Sequence, residues 1–124
     1  MQKILIYDPD KSFRCHLGYV LESKGFIVQE ASRPSEAVKY VLKDVFAAVV
    51  FNIKPEDLNG MQIFSAIKAI DSELPIITVT DGDVTLSSVS SIIHKSFRLF
   101  QKPVGYNEIE EAVREATQMK VDSK

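Results

Sequence analysis

Residues 3–25 read KILIYDPDKSFRCHLGYVLESKG, an apolar run followed by a stretch in which apolar and polar residues are mixed. Lys3 to Tyr7 form a short, mostly apolar run rich in branched residues, which is typical of a strand buried on both faces. After Asp10, apolar residues recur at intervals of three and four up to Gly25. This spacing predicts an amphipathic helix that Asp10 caps and Gly25 ends. The stretch is therefore one strand followed by one helix.

The same alternation occurs four more times along the chain. The further predicted strands are Phe26 to Gln29, Phe46 to Phe51, Pro75 to Val79 and Phe97 to Gln101. The further predicted helices are Pro34 to Lys43, Gly60 to Ile70, Val84 to Lys95 and Asn107 to Gln118. Continuous apolar strands that alternate with helices favour right-handed crossovers. We therefore expect a doubly wound α/β domain, with a five-stranded parallel sheet flanked by five helices.

Polar residues stand where the predicted strands end. In doubly wound sheets the functional groups lie at the carboxyl ends of the strands, beside the point where the strand order reverses. If the strand order is 2-1-3-4-5, strand 2 is an edge and the ends of the other four strands converge. The residues at those four ends are Asp8, Asn52, Thr80 and Lys102. These four residues are the predicted site.

Composition limits the class of protein. The 124 residues, 45% of them hydrophobic, fit one domain, which we place at residues 1–118, with residues 119–124 a polar tail or the start of a linker. A net charge of −2 disfavours direct binding to nucleic acid or an anionic membrane. Cys15 alone forms no internal disulfide, and no apolar run reaches the roughly 18 residues of a membrane span. These features predict a cytoplasmic protein.

Four short motifs stand in order along the chain: Ile4 to Asp8, Asn52 with Gly60 eight residues later, Pro75 to Thr80, and Phe100 to Pro103. Together they resemble the motifs of a receiver domain of the two-component response regulators, from Ile4 to about Thr117. The resemblance implies a flavodoxin-like receiver fold and a role in phosphorelay signal transduction rather than an enzyme. In that family a phosphoryl group is transferred to an aspartate with the help of Mg²⁺, an acidic pair, a lysine and a switch hydroxyl.

The chain departs from the family at two of these positions. Asn52 stands at the phosphoacceptor position, and Pro9 replaces the second residue of the acidic pair. If the loop is aligned on Pro55 instead of Gly60, Phe51 takes the acceptor position, and neither alignment supplies a carboxylate. With only Asp8 left to balance Lys102, the site is about neutral. We expect weak or absent Mg²⁺ binding, no other cofactor, and Asp8 as either a remnant metal ligand or an ion-pair partner of Lys102.

Three of the family positions also have a purely structural interpretation. Thr80 stands at the switch hydroxyl, Leu99 replaces an aromatic ring that often takes part in the switch, and Lys102 is the lysine that would pair with phosphate. The alternative is that Thr80 and Lys102 serve only packing and charge balance. Asn52 could likewise serve only a turn at its strand end.

The leading hypothesis is a pseudo-receiver that acts through protein contacts. In the receiver family the face formed by the fourth helix, fifth strand and fifth helix is the usual docking surface, and Ile92 and Phe100 are its candidate residues here. The expected partners are a sensor kinase, an output domain or a second copy. The alternative is a receiver still regulated through an atypical acceptor such as Asp57 or by a small molecule. A nucleotide-binding enzyme is disfavoured because no Gly-x-x-x-x-Gly-Lys loop is present.

Overall fold

A computed structural model describes residues 2–54, 56, 58–81 and 94–122, the last four by backbone alone. The strands are β1 (Lys3–Tyr7), β2 (Ile27–Ala31), β3 (Ala48–Ile53), β4 (Ile76–Thr80) and β5 (Arg98–Gln101). The helices are α1 (Lys11–Ser23), α2 (Pro34–Lys43), α3 (Leu58–Ile70) and α4 (Tyr106–Asp122).

The five strands form one parallel sheet in the order β2-β1-β3-β4-β5, as predicted. The order reverses at β1, which lies between β2 and β3. A crevice at the carboxyl end of the sheet follows from this reversal, because the connections leaving neighbouring strands turn to opposite faces.

The described part of the chain holds four helices, where the sequence predicts five. Most of the predicted helix Val84 to Lys95 lies outside the described residues, and so does Ile92; the backbone of His94 and Lys95 is helical. Helix α4 continues to Asp122, past the predicted end at Gln118. None of the described helices is long and apolar enough to cross a membrane.

Two apolar clusters cover the two faces of the sheet. Alternation along β1 sends Ile4 and Ile6 to the cluster beneath α1 and α4, and Leu5 and Tyr7 to the cluster beneath α2 and α3. All four side chains are at most 5% exposed. Burial on both faces explains why the strand sequences are continuously apolar rather than alternating.

Helix α1 begins and ends where the sequence predicts. The carboxylate of Asp10 accepts a hydrogen bond from the backbone N–H of Phe13 at 3.2 Å, which caps the first turn. Gly25 follows the helix with φ of 94°, a conformation that side chains with a Cβ rarely adopt. The capping residue Asp10 lies two residues after Asp8, which directly follows β1.

Candidate functional site

The structure places the four predicted residues at the carboxyl edge of the sheet. Asp8 and Lys102 directly follow β1 and β5, and Thr80 is the last residue of β4. Asn52 lies one residue before the end of β3, opposite Val79, because β3 spans Ala48–Ile53 rather than the predicted Phe46 to Phe51. The turn-forming alternative for Asn52 is therefore wrong.

The ammonium group of Lys102 is the centre of the site. Its Nζ donates to Asp8 Oδ2 at 2.9 Å and to Asp81 Oδ1 at 3.2 Å, so the predicted ion pair with Asp8 is present. The same atom lies 4.2 Å from the centre of the Phe13 ring, a cation–π distance. Three groups from three different segments thus hold this ammonium in place.

Asp8 is the most deeply buried charged group of the site, with 1% of the residue exposed. Its Oδ1 accepts the backbone N–H of Asp10 at 2.8 Å, while Oδ2 accepts from Lys102. Burial raises the pKa of Asp8, and the bonds from Asp10 and Lys102 oppose that rise. Both carboxylate oxygens are therefore engaged by donors of the chain itself.

The charge of Lys102 is set by the same contacts. Burial works to lower its pKa, but the hydrogen bonds to Asp8 and Asp81 and the charges of these two carboxylates outweigh burial. The net result is a pKa raised above the ordinary lysine value, so Lys102 is protonated at neutral pH.

Asn52 is buried, with 3% of the residue exposed, and its two amide atoms differ in their surroundings. Its Nδ2 donates to Asp81 Oδ2 at 3.4 Å. Its Oδ1 is buried and has no hydrogen-bond partner within the part of the chain that the structure describes. The carboxylate at position 81 fixes this orientation, since the opposite one would set two oxygens against each other.

Asp81 is the site residue that the sequence reasoning missed. It follows Thr80 directly at the end of β4, so the signal was present, but the family motif stops at the hydroxyl residue. Counting two carboxylates and one ammonium, the site carries about −1, which corrects the neutral count obtained from Asp8 and Lys102 alone.

The side chains of this site do not fit Mg²⁺. Both oxygens of Asp8 are engaged, the side chain of Pro9 offers no ligand atom, and the Lys102 ammonium stands between the two carboxylates. Mg²⁺ requires near-octahedral oxygen ligands at about 2.0–2.1 Å, which a fixed ammonium at that position opposes. Within the described ranges, no group of three or more His, Cys, Asp or Glu side chains is arranged to hold a metal.

The other predicted residues surround this centre. Thr80 is 2% exposed, and its carbonyl accepts the backbone N–H of Lys102 at 2.9 Å. Leu99 is partly buried in β5 opposite Thr78. Phe100 is also partly buried and packs against the cluster beneath α1 and α4. Asp57, the alternative acceptor, lies outside the described residues.

Solved structures of other proteins share this fold. A response regulator receiver domain protein (CheY-like) from Methanospirillum hungatei JF-1 superimposes with a TM-score of 0.89 at 22% identity, covering 100% of this chain and 99% of that one. A response regulator receiver domain protein from Clostridium thermocellum gives 0.87 at 23% identity, with both chains fully covered. At these identities the likeness shows the fold, which is flavodoxin-like.

Several curated relatives are named as regulatory proteins, and one is named as a phosphotransferase. The C4-dicarboxylate transport transcriptional regulatory protein DctD of Rhizobium meliloti (strain 1021) is 27% identical over 114 residues, which are 91% of this chain and 25% of that protein. Sporulation initiation phosphotransferase F of Bacillus subtilis (strain 168) is 27% identical over 120 residues, 96% of each protein. The chain spans about a quarter of the length of the first regulators it matches.

The family described as "Response regulator receiver domain" matches residues 4–114, nearly the whole of the chain. Receiver domains of two-component systems interact with kinases and output domains and are generally not enzymes themselves. This match agrees with the order of the strands in the sheet and with the positions of Thr80 and Lys102 at its carboxyl edge. The chain belongs to the response regulator receiver domain family.

Proposed function

We propose that this receiver domain is a pseudo-receiver, which takes no phosphoryl group at position 52 and signals through contacts with protein partners. The observation that carries the proposal is the ion-paired Lys102. Its ammonium is bound to Asp8 and Asp81, beside the neutral amide of Asn52.

The chemistry of Asn52 supports the same proposal. An amide oxygen is neutral and a poor nucleophile, whereas phosphoryl transfer to a side chain requires an anionic oxygen. Asp81 takes a hydrogen bond from the Asn52 amide at 3.4 Å, so a carboxylate already stands on that side of position 52. An incoming phosphoryl group would meet its negative charge.

The switch residues lose their trigger in this proposal. Thr80 and Leu99 stand at the positions where the family resemblance places the switch, but no phosphoryl group arrives for the hydroxyl to bond. We therefore assign the domain one resting arrangement, recognised by a sensor kinase, an output domain or a second copy. The candidate contact residues remain Phe100 and, outside the described residues, Ile92.

The test is incubation of the domain with Mg²⁺ and acetyl phosphate, followed by intact-mass measurement. We expect no added phosphate. In parallel, fluoroberyllate with Mg²⁺ is expected to leave the amide resonances of Asp8, Thr80 and Lys102 unchanged. The matched control is the double variant Pro9→Asp, Asn52→Asp, which restores both missing carboxylates. A phosphate adduct on the natural chain, or shifts clustered at those three residues, would overturn the proposal.

A second function is favoured by one observation, the buried Oδ1 of Asn52, which has no hydrogen-bond partner among the described residues. Such an acceptor is costly unless some donor satisfies it, which a small molecule entering the crevice could do. In this case the domain is still regulated, by a ligand or by an atypical acceptor such as Asp57. Resonance shifts at Asn52 with a panel of small metabolites, or phosphate mapped to Asp57, would favour it over the pseudo-receiver.

A further inference from the structure

A shallow groove lies between the edge strand β5 and helix α4. Its volume is about 230 Å³, and its lining combines apolar and acidic side chains. The lining residues are Arg98, Phe100, Glu108, Glu111, Ala112 and Glu115. The groove is thus separate from the crevice that holds Lys102.

The charge of this groove is concentrated. Three glutamates and one arginine give a lining charge of −2, as large as the net charge of the whole chain. Arg98 is bound to Glu115 at 2.7 Å, so its charge is already matched. Glu108 and Glu111 are exposed and supply the excess. A cationic partner would be attracted here, and an anionic one repelled.

The apolar part of the lining gives the groove a second requirement. Ala112 is only 1% exposed, so the accessible apolar part of the lining is Phe100, which is partly buried. An apolar partner side chain that covers Phe100 adds affinity that charge alone does not give.

We propose that this groove docks a partner segment in which an apolar side chain is flanked by Lys or Arg. The inference rests on the proposed function, because it names the chemistry of the partner through which the domain acts. It also decides among the candidate partners. A second copy docked symmetrically through this groove would bring together two linings that each carry a charge of −2, so a basic segment of a different protein is the occupant.

The test is a titration of the ¹⁵N-labelled domain with a synthetic helical peptide of alternating Leu and Lys blocks. A second peptide with Glu in place of Lys serves as the reversed-charge probe. We expect shifts centred on Arg98 to Phe100 and Glu108 to Glu115 with the first peptide, and none with the second. Glu111→Lys is expected to weaken binding about fivefold or more.

The matched variant is Glu22→Lys on α1. Both variants replace an exposed helical glutamate with lysine and change the net charge from −2 to 0, so attraction to the molecule as a whole weakens equally. We expect Glu22→Lys to change the affinity less than twofold, and Glu111→Gln to lie between the two. The Glu111→Gln variant, whose new side chain is uncharged, keeps the test valid if the lysine disturbs α4.

Equal weakening by Glu111→Lys and Glu22→Lys would overturn the proposal, as would shifts spread over the surface. If sedimentation shows a dimer of the domain that Glu111→Lys alone dissociates, the occupant is a second copy instead. The titration uses no phosphodonor, and the mass measurement uses no peptide. Failure of the docking proposal is therefore distinguishable from failure of the pseudo-receiver proposal.

Discussion

Lys102 is held by two carboxylates and a phenylalanine ring of the chain itself. A buried ion pair stabilises a fold little by comparison with apolar residues of similar shape, but removing one partner leaves the other charge buried alone. Asp8, with 1% of the residue exposed, is the partner that would be left.

Replacement of Lys102 by Met is therefore expected to lower the free energy of unfolding by about 2–4 kcal/mol at pH 7. The low end is expected because the lysine side chain is 18% exposed, so water screens part of the interaction. Urea denaturation measures the loss, with the exposed Lys39→Met on α2 as the control. A change for Lys102→Met no larger than that of the control would contradict this expectation.

The ion pair of Lys102 with Asp8 makes the stability of the fold depend on pH. The folded-state pKa of Lys102 is raised because Asp8 and Asp81 outweigh the opposing effect of burial. Its contribution to stability is thus fully present below the unfolded-state lysine pKa and is lost as the pH rises through the folded value. We expect the stability difference between the natural chain and Lys102→Met to narrow only above pH 10.5. Urea denaturation midpoints measured between pH 8 and pH 11.5 test this expectation. A stability difference that already begins to narrow near pH 8 would mean that the folded-state pKa of Lys102 is lowered rather than raised.

Asn52→Asp isolates the cost of a third carboxylate in the crevice. The change removes the hydrogen bond to Asp81 and places a negative charge beside it at a position only 3% exposed. We expect a loss of about 1–3 kcal/mol in the absence of divalent cations. The control is Asn59→Asp, which adds the same charge at an exposed position in the first turn of α3, where a carboxylate is tolerated. Equal unfolding curves for the two variants would show that position 52 accommodates the charge.

At the scale of elements, the start of α1 links the fold to the crevice. Asp10 caps the helix through its carboxylate, and its backbone N–H binds Asp8 Oδ1 at 2.8 Å. One residue thus ends the first loop, starts the helix and orients the buried carboxylate. The other end of α1 carries no comparable link to the site.

Asp10→Ala is expected to lower the free energy of unfolding by about 1 kcal/mol, because the N–H of Phe13 loses its acceptor. Asp10→Asn keeps an acceptor oxygen and should cost much less. Thermal denaturation followed by circular dichroism compares the two variants. If both lose the same stability, the negative charge near the helix N-terminus, rather than the capping bond, is the stabilising factor.

At the scale of the whole molecule, the response to Mg²⁺ reports whether the domain retains the metal chemistry of its family. A ligand that binds only the native state raises the melting temperature. We expect the melting temperature of the natural chain to stay the same when the Mg²⁺ concentration is raised tenfold in the millimolar range, because Lys102 stands between Asp8 and Asp81.

The double variant Pro9→Asp, Asn52→Asp is the positive control for that measurement. With two carboxylates restored, Mg²⁺ at ten times its dissociation constant adds about 1.4 kcal/mol of stability, or several degrees. A comparable rise in the natural chain would show that the crevice binds the metal despite its engaged side chains. Ca²⁺ in place of Mg²⁺ tests whether any such rise depends on cation size.

Much of this architecture could be predicted from the sequence because periodicity reports burial locally. The continuous apolar run of β1 and the three- and four-residue spacing of α1 each need only neighbouring residues to be recognised. The order β2-β1-β3-β4-β5 was expected from the resemblance to the receiver family, because the handedness of the crossovers does not fix which strands are neighbours. Boundaries were less certain: β3 begins two residues later than predicted, since Phe46 packs into the core from the preceding loop.

Local sequence patterns were sufficient to predict the alternation of strands and helices, and positions 9 and 52 are seen directly to lack carboxylates. The groups that bind Lys102 became known only from the packed structure, because Asp8, Asp81 and Phe13 reach it from distant segments and no local pattern encodes their distances. Packing also sets the amide of Asn52, whose nitrogen donates to Asp81 while its oxygen has no donor among the residues that the structure describes. The physical reason is that residue types and spacing fix which elements form, whereas hydrogen bonds and charges act across space once those elements have packed.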